Sequence, residues 1–212
     1  MFEKLGKLPV YVWIILVVLI LGSGFLLFKR RKKQTSKWNS QVLSFGALSI
    51  ALSFILGLIP LYTMPQSGSI TPASMLPIML FSYTFGPAPG LFAGVAYGLL
   101  DFIRKPAFLN IWSFLLDYIV GFGVLGLTGF FGKGKKDFLM YVGITLAGFC
   151  RFAASFISGV VFYASYAPQG QNVFLYSLVY NGTYMLPEVI LCIVVAALIG
   201  KRLVKIMKSS IH

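Results

Sequence analysis

Apolar residues run along the 212-residue chain in seven long stretches, and polar residues are concentrated in the breaks between them. The first stretch, PVYVWIILVVLILGSGFLLF at 9–28, has the ~20 residues that a helix needs to cross a bilayer. KRRKK at 29–33 follows directly. A cleaved signal peptide carries its positive charge ahead of the apolar run. Here the heavier charge lies behind it, against only Lys4 and Lys7 in front, so the pattern predicts an uncleaved anchor with its N-terminus outside. The other six stretches, at 41–61, 71–86, 88–103, 110–131, 138–163 and 173–200, predict six more helices. The chain thus divides into an N-terminal membrane anchor with a basic cytoplasmic linker, 1–40, and a six-helix membrane unit with a basic tail, 41–212.

Composition agrees with the pattern. With 58% hydrophobic and 11% charged residues, a soluble globular fold is excluded and an all-α integral membrane protein is expected. The net charge of +13 comes mainly from blocks that flank apolar runs, which reads as membrane topology and not as a nucleic-acid surface. KRRKK, the Lys133, Lys135, Lys136 cluster and the Lys201, Arg202, Lys205, Lys208 tail all fall on the cytoplasmic side if the stretch after KRRKK runs outward. The connections at 61–69, 104–106 and 164–172 then lie outside, with Arg104 and Lys105 as the discordant charges. Cys150 and Cys192 sit within apolar runs and the single histidine is His212, so no metal-ligand set or hydrolase triad is expected. A Walker-type phosphate loop is also missing from the sequence, and paired catalytic carboxylates with it. The expectation is a protein that is not an enzyme, holds no cofactor, and draws any transport energy from a partner or a gradient.

Ionisable groups inside apolar stretches cost on the order of 3 kcal/mol each and need partners or a wet cavity. Glu3 and Asp137 fall at membrane edges, leaving Asp101, Asp117 and Glu188. Asp117, followed by Tyr118, lies about two turns into its helix and suits a cationic or hydrogen-bonding ligand entering from outside. An internal salt bridge with Arg151 fits the spacing equally. Asp101 beside Arg104 predicts an interfacial ion pair. Glu188, on roughly one face with Asn181 and Tyr184, either floors the same cavity or hydrogen-bonds between helices, and the second is the expected role. Arg151, Ser155, Gly159 and Tyr163 are spaced by four and form a stripe ending at an outer loop. Tyr176 and Asn181 fall in the outer half of the last helix, and Asn181 needs partners for its amide. Tyr166 suits an interfacial belt and a ligand contact alike. Asn181 to Thr183 matches a glycosylation acceptor in form only, because it lies within a helix. The stretch from Arg151 to Glu188 therefore concentrates the candidate ligand chemistry. Gly90, Gly94 and Gly98 predict close packing within the chain, Ala47 and Ala51 form another small-residue pair, and Gly121, Gly123, Gly126 and Gly129 predict tight packing or a bend.

The segments LLDYIVGF, RFAASFISGVVFYASYAPQG and LYSLVYNGTYM, with the MPQSGS loop, resemble the thiamine-specific S component of energy-coupling-factor (ECF) transporters, over about 41–200. The resemblance implies a six-helix S-component-like bundle in a prokaryotic cell membrane, to which this chain adds one N-terminal transmembrane helix. It also implies an outward-facing vitamin site, and docking onto a membrane coupling subunit with two ATP-binding cassette ATPases. Under it, the ligand-facing residues are Asp117, Tyr118, Arg151, Ser155, Gly159, Tyr163, Tyr176 and Asn181, and the pair contacting the coupling subunit is Ala47 and Ala51. The chain departs from the family pattern in having Asp117 where Glu is frequent, Ser155 for a histidine, Tyr163 for a tryptophan, and MPQSGS where a tryptophan is expected. The implied function is extracellular thiamine capture for an ATP-driven importer. The alternatives are the same class serving a thiamine precursor or another aromatic vitamin, and a non-transporting membrane protein such as an intramembrane enzyme or assembly factor.

Overall fold

The computed structural model describes residues 39–132 and 137–210. The anchor predicted at 9–28, its flanking Glu3, Lys4 and Lys7, the KRRKK linker, the Lys133, Lys135 and Lys136 cluster and His212 lie outside the described residues.

Each of the six apolar stretches of the membrane unit forms a helix: α1 (Ser40–Gly57), α2 (Leu76–Phe85), α3 (Pro87–Arg104), α4 (Ile111–Phe131), α5 (Phe138–Val161) and α6 (Val173–Val195). Three of them, α1, α4 and α5, are long and apolar enough by length and composition to cross a membrane. α6 continues through a π-helical turn, Ala196–Gly200, into α7 (Lys201–Ser209), so the basic tail is helical as well. Asn39 starts α1 by accepting the Val42 N–H at 2.8 Å, a cap worth about 1 kcal/mol. α1 turns Gly46, Ser49, Ser53 and Gly57 inward while Leu43, Leu48, Leu52 and Ile55 stay exposed. Small residues inside and large apolar residues outside is the arrangement for a helix whose surroundings are lipid.

α2 is the hub. At 10 residues, about 15 Å, it is too short to span a bilayer, and nearly all of it is buried among α1, α3, α4, α5 and α7. The sequence predicts helix from 71; the helix starts instead at Leu76, after a turn at Thr71–Met75 whose Ala73 has a φ of +59°. Thr71 and Ser74 give their backbone N–H groups to Glu188, so these groups are satisfied outside any helical ladder. The LYTMPQSGS break, expected as a loop, is a small hairpin in which β1 (Tyr62–Thr63) pairs antiparallel with β2 (Ser69–Ile70), Tyr62 opposite Ile70.

The Gly90, Gly94, Gly98 stripe of α3 packs against α4, as the spacing predicts. A Cβ added at Gly94 or Gly98 would lie 2.2 Å from the carbonyl oxygen of Phe122 or Tyr118 respectively, so only glycine permits this approach. α4 is irregular: a π-helical turn at Leu115–Val120 and a 3₁₀ stretch at Val124–Phe131 flank a short α-helical piece. The 3₁₀ stretch is held from α2 by Ser82, whose hydroxyl donates to the Gly126 carbonyl at 2.6 Å and accepts the Gly129 N–H at 3.0 Å.

The three connections that charge patterning assigns to one side do meet at one end of the bundle. Lys105 Nζ donates to Ser69 Oγ at 3.2 Å, the Tyr163 hydroxyl to the Ala107 carbonyl at 3.4 Å, and the Tyr176 hydroxyl to Gln66 Oε1 at 3.1 Å. At the opposite end Lys201 pairs with Asp137 at 2.7 Å and Lys208 lies 5.8 Å over the Tyr83 ring.

Candidate ligand pocket

Between α3, α4, α5 and α6, closed on one side by the 62–75 segment, lies a cavity of about 140 Å³. Asp117, Tyr118, Arg151, Ser155, Gly159, Tyr163, Tyr176 and Asn181 all line it. α5 supplies Arg151, Ser155 and Gly159, the connection just beyond it Tyr163, the first half of α6 Tyr176 and Asn181, and the π turn of α4 Asp117 and Tyr118.

Asp117 accepts a hydrogen bond from Ser158 Oγ at 2.7 Å. The salt bridge with Arg151 that the spacing allows is not formed: among the described residues the ion pairs are Arg104 with Asp101 and Lys201 with Asp137. Arg151 instead places its guanidinium carbon 3.5 Å over the Phe122 ring, a cation–π contact. Its Nε and Nη1 are buried without a hydrogen-bond partner among the described residues. A buried guanidinium N–H left unpaired is costly, so this corner favours a ligand that brings an acceptor.

The aromatic residues divide by what their hydroxyls do. Tyr118 donates to the Lys105 carbonyl and accepts the Ala107 N–H at 3.1 Å, so its hydroxyl is spent on the 105–107 connection. Its ring is clamped by Phe102 and Phe114 at centroid distances of 5.2 and 5.9 Å. Tyr176 stacks on Tyr180 at 6.0 Å. Tyr166 is 45% exposed and lies outside the lining. Asn181 is fully engaged by its own helix: it donates to the Ser177 carbonyl at 2.9 Å and accepts from the Tyr184 hydroxyl at 2.9 Å. Gly159 makes room for α6, because a Cβ there would lie 2.3 Å from Ser177 Oγ.

Asp101 and Arg104 form the expected pair, and Arg104 also donates to the Gly57 carbonyl at the end of α1. Lys105, beside them on the connecting segment, has its ammonium pKa lowered by burial and by the Arg104 charge. Glu188 lines the cavity and bonds Thr71 and Ser74 in the turn before α2, so the expected hydrogen bonding goes to a turn and not to a neighbouring helix. Sequence reasoning missed Ser158, Phe122, Tyr97 and Gln66. Ser158 lies three residues beyond Ser155 on the same helical face, a signal that could have found it; Phe122 and Tyr97 carry none, since an aromatic residue in an apolar helix looks like lipid-facing or packing surface. Ala47 and Ala51 are remote from the cavity, on the exposed face of α1.

A polytopic helical bundle with a polar and aromatic cavity at one end is the architecture of a solute-binding membrane protein. The comparisons give the particular family. Residues 43–208 match the family model of the thiamine transporter protein (Thia_YuaJ), and the chain belongs to that family. It is 35% identical to the thiamine transporter ThiT of Bacillus subtilis (strain 168) over 180 residues, which is 77% of this chain and 90% of that one. With ThiT of Lacticaseibacillus paracasei the identity is 33% over 140 residues, 59% of this chain and 70% of the relative. A solved structure of ThiT from Listeria monocytogenes is similar at a TM-score of 0.65 and 26% identity, covering 79% of this chain and 94% of that one. The chain is therefore a multi-pass membrane transport protein and not an enzyme, with the helical fold expected from its sequence.

Proposed function

We propose that this protein captures thiamine in the pocket described above, as the substrate-binding S component of an ECF-type importer. The observation that carries the reading is the convergence of Asp117 with tyrosine rings and an unpaired arginine in one cavity of a thiamine transporter family member. Thiamine is a cation with two aromatic rings: Asp117 balances the thiazolium or accepts from the aminopyrimidine, and Tyr118, Tyr163 and Tyr176 supply ring contacts. Ser155 and Arg151 add donors, while Gly159 and Asn181 shape the wall. Calorimetric titration of the detergent-solubilised protein with thiamine tests this. Saturable tight binding is expected, weakened at least a hundredfold by Asp117→Asn; a folded wild-type protein that does not bind thiamine refutes it.

The departures at Ser155, Tyr163 and the MPQSGS hairpin favour one second reading, the same transport class serving a thiamine precursor or another aromatic vitamin. Competition against bound thiamine separates the two. Residues 1–40 are proposed as an anchor and linker outside the transport unit, in keeping with a family match that begins at residue 43. The energising partners are a membrane coupling subunit and two ATP-binding cassette ATPases, docked on α1. Ala47 and Ala51 support this, because they are small residues on a face of α1 that the bundle leaves exposed. Co-purification of the three partners with the full chain, lost on enlarging Ala51, is the expected result.

A further inference from the structure

α6 carries four residues spaced by four, Tyr176, Tyr180, Tyr184 and Glu188, and each one touches the 62–75 segment. Tyr176 binds Gln66; Tyr180 donates to the Pro65 carbonyl and accepts the Gly68 N–H at 3.2 Å. The Tyr184 ring lies so near Gly68 that a Cβ there would come within 2.9 Å of it. Glu188 makes the densest contact. Thr71 donates its N–H to Oε2 and its hydroxyl to Oε1, both at 2.6 Å, and the Ser74 N–H reaches Oε1 at 3.1 Å. Only 4% of Glu188 is exposed. A buried carboxylate that collects this many donors is bound by charge-assisted hydrogen bonds, stronger than neutral ones. The turn it grips contains Ala73 at a φ of +59°, a conformation alanine keeps only when its surroundings enforce it. The same segment supplies Gln66, Gly68, Ser69, Thr71, Ser74 and Met75 to the cavity wall.

We infer that Glu188 is a positioning residue for ligand capture: by holding the Thr71–Ser74 turn it sets where the 62–70 hairpin stands against the pocket. The inference rests on the pocket being the ligand site. With its oxygens taken up by Thr71 and Ser74, the carboxylate acts through those two residues and not by touching the ligand. Glu188→Gln keeps the shape but turns one acceptor into a donor that faces other donors.

The test combines amide hydrogen exchange on the ligand-free full chain with thiamine binding kinetics, for Glu188→Gln, for the milder Thr71→Val/Ser74→Ala pair, and for all three changes together. Glu188→Gln is expected to speed exchange at 61–74 at least tenfold with α3 and α5 unchanged, and to weaken thiamine binding at least tenfold, chiefly through faster dissociation. The combined variant should be little worse than Glu188→Gln alone, because the hydroxyls that the pair removes act on the carboxylate that Gln has already replaced. Additive losses, unchanged exchange at 61–74, or faster exchange throughout the bundle would overturn the inference. Should Glu188→Gln fail to fold, the Thr71→Val/Ser74→Ala pair decides, with faster exchange confined to 61–74 expected, smaller because the two backbone N–H bonds to Glu188 remain. Should wild type not bind thiamine, the proposed function falls, and the exchange arm alone decides whether Glu188 places the wall.

Discussion

α4 is closed on one side and open on the other. Toward α3 its backbone touches the partner backbone, with the carbonyls of Phe122 and Tyr118 occupying the space that side chains at Gly94 and Gly98 would need. Toward α5 and α6 the same few turns present Asp117 and Tyr118 to a cavity that Arg151, Ser155 and Asn181 also line. Lipid is as apolar as a leucine side chain, so burying apolar surface between helices gains little here, and close van der Waals contact does the joining. The glycine seam supplies that contact. The cavity persists because its polar side chains are tethered: Asp117 to Ser158, Tyr118 to the 105–107 segment, Asn181 to Ser177 and Tyr184. Rigidity on one side thus supports an open, pre-organised site on the other. The π-helical turn of α4 sits where the two demands meet, as such turns frequently do at functional sites.

The strongest way to break this contrast is to fill the seam. Gly98→Leu drives a side chain into a backbone carbonyl that cannot rotate away, so the expected result is loss of folded protein, beyond the ~1–3 kcal/mol usual for overpacking. Gly182→Ala, where nothing lies within 4 Å, is the control and should leave the thermal transition unchanged or slightly raised. Size-exclusion profiles and thermal melts in detergent check both.

On the cavity side, Asp117→Asn is expected to weaken thiamine binding at least a hundredfold, about 2.8 kcal/mol, with the melt largely retained. Asp101→Asn should do the reverse, lowering the melting temperature by removing the charge that Arg104 pairs with while changing affinity far less. Equal effects of the two on affinity would remove Asp117 from the centre of the site. Gly159→Ala lies between seam and cavity: its obstacle is the Ser177 hydroxyl, which can turn aside, so about a tenfold loss of affinity and a shift of a few degrees in the melt are expected. The smallest effect on binding belongs to Ala51→Trp on the exposed face of α1. The isolated protein should hold thiamine with unchanged affinity while its recovery with the coupling subunit and ATPases falls.

The order and number of helices in the membrane unit are legible from the apolar runs, since a backbone in lipid has to satisfy its own hydrogen bonds and a helix does so locally. So is the gathering of polar side chains into one cavity, because Asp117, Arg151 and Asn181 are costly in an apolar run unless a cavity or partner receives them. The pairings were not legible. Spacing left Asp117 with Arg151 or a ligand as equal prospects, whereas the fold gives it Ser158 and lays Arg151 over Phe122. The turn at Thr71–Ser74 was hidden because its partner, Glu188, is 117 residues from Thr71 along the chain.

Local chemistry alone dictates six helices, a glycine-lined seam on α3, a polar stripe on α5, and an acid set two turns into α4. These follow from side-chain size, apolar length and the cost of charge in lipid, which are properties of each segment by itself. All three acids line the cavity, and which is tied to a serine of α5, which to a turn, and which to an arginine at the rim follows from how the segments meet. Asp117, Glu188 and Asp101 are alike in type, and donors brought from other segments, or in the last case one turn away, assign them three different tasks.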